Sequence, residues 1–175
     1  LSDTEQSTNN SLTTGTLNLQ AGGSESATTT FAAADLGTGS SGSASSTVTN
    51  TGTLDGYLNF SIEDIRNLEN GIANDAESSA SDENGGQPGE LSQYVTLRLG
   101  YDDNGNGSFG SGEVVAEGSL DGMENVQFKP NVPLGASASR EFFVEWEIDE
   151  DAGNEVQSDS VEVDFGFELL EREAD

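Results

Sequence analysis

The sequence predicts an all-β fold, an antiparallel β-sandwich of jelly-roll type with an N-terminal arm. Three observations carry this. Apolar and polar residues alternate in about eight short runs, the period of a half-buried strand. Gly-, Ser- and Asn-rich segments punctuate them. The two cleanest runs are apolar on one face and acidic on the other, as sheets packed face to face require.

Residues 1–11 are polar, show no strong period and form the arm; residues 12–175 form the single domain. From Thr13 the period is two, with Leu17, Leu19 and Ala21 alternating with polar neighbours. A Thr-rich run follows at 26–32 and ends near Phe31, then a Gly/Ser stretch from Gly37 to Ser46 leads to Val48 and a turn at Asn50-Thr51-Gly52. Leu58, Phe60 and Ile62 alternate as a strand. Ile65, Leu68 and Ile72 are spaced by three and four, with Gly71 at a stop position, which predicts a short helix. Residues 73–90 read as an acidic surface loop. Strands resume at Val95–Tyr101, Val114–Leu120 and Val126–Leu134, and Pro130 and Pro133 make the last an edge strand or a turn. The two best strands are Phe142–Ile148 and Val161–Leu169.

Charge narrows the function. Lys and Arg number 5 against 33 Asp and Glu, a formal net charge of −28 with no His and no Cys. Such a chain does not gather phosphates, so nucleic acid is excluded as a partner. Without Cys or His there is no thiol nucleophile, no zinc site of the usual nitrogen and sulfur ligands, and no Ser-His-Asp triad. No segment reaches the roughly 18 apolar residues of a membrane-spanning helix. Four Arg accompany a single Lys, Lys129. That balance suits a salt-loving organism, where concentrated ions screen repulsion; the competing reading is an acidic protein of an ordinary habitat.

The sharpest local pattern is Asp102-Asp103-Asn104-Gly105-Asn106-Gly107-Ser108-Phe109-Gly110-Ser111-Gly112-Glu113. It satisfies the calcium-loop pattern D-x-[DN]-x-[DN]-G-x₅-E at every specified position. Asp102, Asn104 and Asn106 offer side-chain oxygens, Ser108 its carbonyl, and Glu113 two oxygens, while Gly107 allows the sharp turn. Strand patterns flank the run, so the expectation is an EF-hand-like Ca2+ loop inside a β-hairpin, with Phe109 anchoring it. An Asn/Gly-rich turn that meets the pattern by composition is the alternative. Gly37, Gly39 and Gly42 spell G-x-G-x-x-G without a βαβ unit around them and read as a flexible turn. The acidic turn Asp149–Asp151 reads as solvated. Asn9, Asn59 and Asn106 each begin a glycosylation acceptor pattern. With Leu1 rather than Met first, these patterns point to a processed, exported chain.

Several short segments resemble the TasA/camelysin family. Thr14-Gly15-Thr16-Leu17-Asn18-Leu19 resembles that family's G-T-L-D-L entry into its first strand, and Asn50-Thr51-Gly52-Thr53-Leu54 its N-x-G-T/S-L segment. Gly118-Ser119-Leu120, Leu134-Gly135 and Asn154-Glu155-Val156-Gln157-Ser158-Asp159-Ser160-Val161 are similar to its later signatures, in the same order. The resemblance implies a secreted β-sandwich that polymerises into extracellular fibres of biofilms and cell surfaces, as in archaeal bundling pili and calcium-dependent cannulae. It gives residues 1–11 a role. Leu1, Ser2, Asp3, Thr4, Glu5, Gln6, Ser7 and Thr8 would be a donor strand that completes a sheet of the next copy, so that copies join head-to-tail as an open filament. The metalloprotease label attached to camelysin does not transfer, because no histidine is present to hold zinc.

The expected function is therefore a structural subunit of an extracellular filament or pilus at the cell surface, not an enzyme, with Ca2+ as its ion and copies of itself as partners. A monomeric calcium-binding adhesin or carbohydrate-binding module is the alternative. It would need an exposed aromatic platform, for which Tyr57, Tyr94 and Phe143 are the candidates. A carboxylate-dependent hydrolase ranks third.

Overall fold

The computed structural model describes residues 39–50, 54–68, 89–153, 156 and 159–170 in full, and the backbone of short strands at 2–6, 10–12, 20–21 and 27–32. The strands are β1 (Ser2–Gln6), β2 (Asn10–Leu12), β3 (Gln20–Ala21), β4 (Ala27–Ala32), β5 (Ser41–Thr49), β6 (Gly56–Leu68), β7 (Val95–Tyr101), β8 (Val114–Ser119), β9 (Val126–Leu134), β10 (Ser139–Ile148) and β11 (Ser160–Leu170). They form two sheets, β2-β4-β11-β6-β9 with β1 also on β11, and β3-β5-β10-β7-β8. All long strands pair antiparallel; β2 on β4 and β3 on β5 add short parallel edges. The predicted all-β antiparallel sandwich is what the chain forms.

The best-patterned runs of the sequence occupy the central places. β10 lies between β5 and β7, and β11 between β4 and β6. Phe142, Val144, Trp146 and Ile148 of β10 face Val161, Val163, Phe165 and Phe167 of β11, and all are buried. A central strand has neighbours on both edges, so its alternation must hold along its whole length, which is why these two read most clearly. The segment with two prolines is an edge strand, as expected, because β9 pairs only with β6.

The predicted helix over 65–72 is corrected. β6 continues as strand through Leu68, and Ile72 and Gly71 lie outside the described residues. Ile65 and Leu68 fall three apart within the strand and so lie on opposite faces of it: Ile65 pairs with Val163 and packs against the core, while Leu68 pairs with Ser160. A bulge precedes them, where Asp64 pairs with Asp164 and Ile62 with Phe165 and Glu63 has no opposite residue. The run at 13–19 and most of the loop at 73–90 also lie outside the described residues.

A second irregularity sits where β6 meets β9. Leu58 pairs with Val132 and Phe60 with Phe128, leaving Lys129, Pro130 and Asn131 opposite Asn59. Asn131 adopts φ 50°, a conformation Asn tolerates better than most residues. Asn59 closes the gap. Its Oδ1 accepts from the Asn131 N–H at 2.9 Å, and its Nδ2 donates to Asn131 Oδ1 at 3.4 Å.

The outward faces carry the acids, each built around an arginine. On β6 and β11, Arg66 donates to Asp64 at 2.6 Å, Asp164 at 2.8 Å and Glu162 at 3.0 Å. The Asp164 hydrogen bond is the main reason the Arg66 guanidinium is held protonated even more firmly than usual. On β7 and β10, Arg98 pairs with Glu145 at 2.5 Å and Glu117 at 3.4 Å. Among the described residues no helix is long and apolar enough to cross a membrane. Arg66→Ala should leave Asp64, Glu162 and Asp164 facing one another. Thermal unfolding should then show a loss of stability at low ionic strength that concentrated salt restores; a loss independent of salt would mean the arginine acts by packing alone.

Candidate metal centre in the β7–β8 hairpin

Tyr101 ends β7 and Val114 begins β8, so the patterned loop spans a hairpin, with Gly100 paired to Val114 across its base. Gly100 has no alternative here. A Cβ at this position would stand 1.9 Å from the Glu113 carbonyl oxygen, so the two chain segments touch only because the side chain is missing. Gly105 and Gly107 both take φ 72°, the left-handed conformation that lets the loop double back on Asp102.

The carboxylates organise the loop from both ends. Asp102 Oδ1 accepts from the N–H groups of Gly105 at 2.7 Å and Asn106 at 3.1 Å, and Oδ2 from Gly107 at 2.8 Å. Glu113 Oε1 accepts from the N–H of Asp103 at 2.9 Å and of Asn104 at 3.3 Å, and from Asn104 Nδ2 at 2.8 Å; Oε2 accepts from the Gly110 N–H at 2.8 Å. Asn104 Oδ1 takes the Asn106 N–H at 3.0 Å, and Asn106 Oδ1 takes the Ser108 N–H at 2.8 Å. Asp102, Asn104 and Glu113 are thus brought together; Asn106 joins through its own N–H, and Ser108 is linked only through Asn106.

Both carboxylates are buried while the loop between them is exposed. Backbone donation, from Gly107 above all, holds the Asp102 carboxyl below the ordinary aspartate range, with Gly105, Asn106 and the charge of Arg140 adding to it. Arg140 is the residue the sequence pattern missed. From β10 its Nη1 donates to the carbonyls of Asp102 and Asp103, both at 3.1 Å, and Nη2 to the Pro133 carbonyl at 3.2 Å. The only signal for it was rarity, as one of five cations in an acidic chain. Phe109 does anchor the loop, but to the outside of the sandwich: it stacks on Phe143 with centroids 5.3 Å apart and planes at 10°, under the Arg98 guanidinium at 5.5 Å.

The donor set fits a hard cation in kind, since every side-chain ligand is an oxygen. A carboxylate offers about four lone-pair positions, so Asp102 keeps capacity beyond its three N–H partners and Glu113 Oε2 beyond its one. Asn104 is the exception. Its Nδ2 faces Glu113, and an ion between them would need the amide turned to present Oδ1. Among the described residues no group of three or more acidic side chains is placed to hold a metal ion, so the loop offers its two buried carboxylates and depends on amides and carbonyls for the rest.

Other candidates fare differently. Asn59 cannot carry a glycan: it is 0 % exposed and its amide is committed to Asn131, a correction to the acceptor pattern that burial under the β9 irregularity explains. Asn9 lies outside the described residues. Phe143, 8 % exposed, is covered by Phe109, and Tyr57 and Tyr94 are half-buried, so the described residues offer no aromatic platform. Of the N-terminal segment, Ser2, Asp3, Thr4, Glu5 and Gln6 pair antiparallel with Leu170 to Gly166 of β11 in the same chain, and Leu1, Ser7 and Thr8 lie outside the described residues. β4 pairs with Ser160 to Phe165, so β1 and β4 share one edge of β11 end to end. The register sets Asp3 opposite Leu169 and Glu5 opposite Phe167. No family model matches the sequence, and no curated protein is similar to it.

Because the folded state depresses the Asp102 pKa, its contribution to stability is full above the unfolded value, about 3.9, and is lost as pH falls through the folded value. Amide hydrogen exchange at Gly105, Asn106 and Gly107 should therefore stay slow at neutral pH and quicken only below the ordinary aspartate range. Asp102→Asn should speed exchange at these amides already at neutral pH; protection unchanged in the variant would remove Asp102 from the loop's support.

Proposed function

We propose that this chain is a structural subunit of an extracellular filament of the TasA/camelysin type, joined head-to-tail by strand complementation and bound to Ca2+ through the 102–113 hairpin. The observation that carries the reading is the place of β1. It fills its own stretch of the β11 edge, Gly166 to Leu170, beyond the end of β4. The pairing is antiparallel over five residues, so main-chain hydrogen bonds hold it. A strand held in that way is equally served by the β11 of another copy, and repetition of a donor and an unlike acceptor gives an open filament.

The jelly-roll assignment is supported by strand order, since β4-β11-β6-β9 and β5-β10-β7-β8 arise from a chain that alternates between the sheets and pairs late strands with early ones. The calcium reading is supported by the oxygen donors gathered between Asp102 and Glu113. Cell-surface location and a salt-rich habitat are supported by the family resemblance and by the charge of −28. The adhesin alternative gains no support, because its aromatic candidates are covered.

Negative-stain electron microscopy in concentrated salt with calcium should show filaments, thinned or lost with chelator. Thr4→Pro, which removes a donor from β1, should leave folded single particles; filaments undiminished in this variant would refute strand complementation. By calorimetry, Glu113→Gln should weaken calcium binding at least about tenfold, and an unchanged affinity would remove the hairpin as the site.

A further inference from the structure

The chain holds four Asn-Gly pairs, and two of them, Asn104-Gly105 and Asn106-Gly107, stand side by side in the loop that joins β7 to β8. Such a pair is chemically labile. The main-chain nitrogen that follows an asparagine attacks the amide at Cγ, and a glycine there leaves the approach unscreened because it has no Cβ. All four residues are exposed. A Cβ built at Gly105 or Gly107 would meet nothing within 4 Å, so open space lies beside both glycines.

The two pairs are held alike. In each, the attacking nitrogen is occupied: the Gly105 N–H donates to Asp102 Oδ1 at 2.7 Å and the Gly107 N–H to Asp102 Oδ2 at 2.8 Å. In each, the amide oxygen is occupied too, Asn104 Oδ1 by the Asn106 N–H at 3.0 Å and Asn106 Oδ1 by the Ser108 N–H at 2.8 Å. One buried carboxylate thus restrains both nucleophiles, one on each oxygen. A nitrogen so held has to leave Asp102 before it turns on Cγ, and an exposed loop makes such openings at low free-energy cost.

We propose that Asn104 and Asn106 are modification sites that convert to carboxylates without an enzyme, at a pace Asp102 restrains. When the loop opens, the glycine nitrogen forms a bond to Cγ and the Cγ–Nδ2 bond breaks. Nδ2 leaves as ammonia, carrying the former glycine amide proton, and a five-membered imide ring closes. Water then opens the ring. Cleavage at Cγ restores the glycine peptide and leaves aspartate; cleavage at the main-chain carbonyl leaves isoaspartate, with one more methylene in the main chain. Either way an amide and water become a carboxylate and ammonium, with nothing oxidised or reduced. Aspartate at both positions still satisfies the calcium-loop pattern and raises the carboxylates at its ligand positions from two to four. Calcium affinity is tuned by ligand charge, so the site would strengthen with age, a consequence that rests on the calcium reading.

Site-resolved mass spectrometry of the full chain, kept folded at mildly alkaline pH for several weeks, tests the conversion. Asn104 and Asn106 should gain the mass of an amide-to-acid exchange while the buried Asn59 stays intact. Asp102→Ala should speed conversion at both at least about tenfold, and leave Asn70 and Asn84, the other two asparagines that precede glycine, within about twofold. No conversion at 104 and 106, or equal acceleration of all four pairs, would overturn the proposal. Wild type in urea gives a check that needs no variant: faster conversion at 104 and 106 than in the folded chain supports the restraint, and equal rates overturn it. Calorimetry keeps the two readings apart. Tighter calcium binding by Asn104→Asp with Asn106→Asp supports strengthening with age, and an unchanged affinity overturns it. A protein that binds no calcium in either form removes the calcium reading and leaves the conversion to stand or fall on the mass result.

Discussion

Phe142 is where the two sheets are fastened to each other. From the middle of β10 its ring meets Phe60 at 5.0 Å, Phe167 at 5.1 Å and Phe165 at 5.7 Å on the facing sheet, and Tyr101 at 5.2 Å on its own. With no disulfide and 32 % hydrophobic residues, the chain has little apolar material to spare, and it concentrates the largest pieces here. Everything on the outside follows from this contact. Phe142 fixes the inward parity of β10, and that parity turns Glu141, Phe143, Glu145 and Glu147 outward. Phe143 then gives Phe109 a place to land, and Tyr101 sets the point at which β7 ends and the hairpin begins.

The electrostatic pattern is the complement of the core pattern. Strands that alternate strictly have to put something on their outer face, and here it is carboxylate. Arg66 gathers Asp64 of its own strand with Glu162 and Asp164 of β11, and Arg98 gathers Glu145 of β10 with Glu117 of β8, so each converts a row of like charges into a local ion cluster. The hairpin solves the same problem by different means, since Asp102 and Glu113 are buried and are matched by backbone N–H groups rather than by side-chain cations. Arg140 contributes from behind, through the carbonyls of Asp102 and Asp103.

Much of this was legible in the sequence where local pattern and final environment agree. β10 and β11 read clearly because both edges and one face of each are committed, and β9 read as an edge because proline cannot donate. The hairpin was legible from Gly107 and the spacing of its acids. Two things were hidden. The end of β6 looked helical because Ile65 and Leu68 stand three apart, and only pairing with β11, about 96 residues away at Glu162, shows them on opposite faces of a strand. The burial of Asn59 depends on the Lys129–Asn131 irregularity, which no motif announces.

The order of the strands also bears on how the chain comes to be folded. The two strands that hold the sheets together, β10 and β11, follow in sequence nearly all the strands they pair with. Loop-closure entropy is therefore met before any central pairing repays it, and folding of such a topology is slow. The earlier strands have to wait with their edges bare, the state in which chains aggregate. β2 to β5, rich in Ser, Thr and Gly, are poorly suited to sticking together in that interval. Central pairing has to wait for the last third of the chain, and only then is there a centre on which the two sheets close.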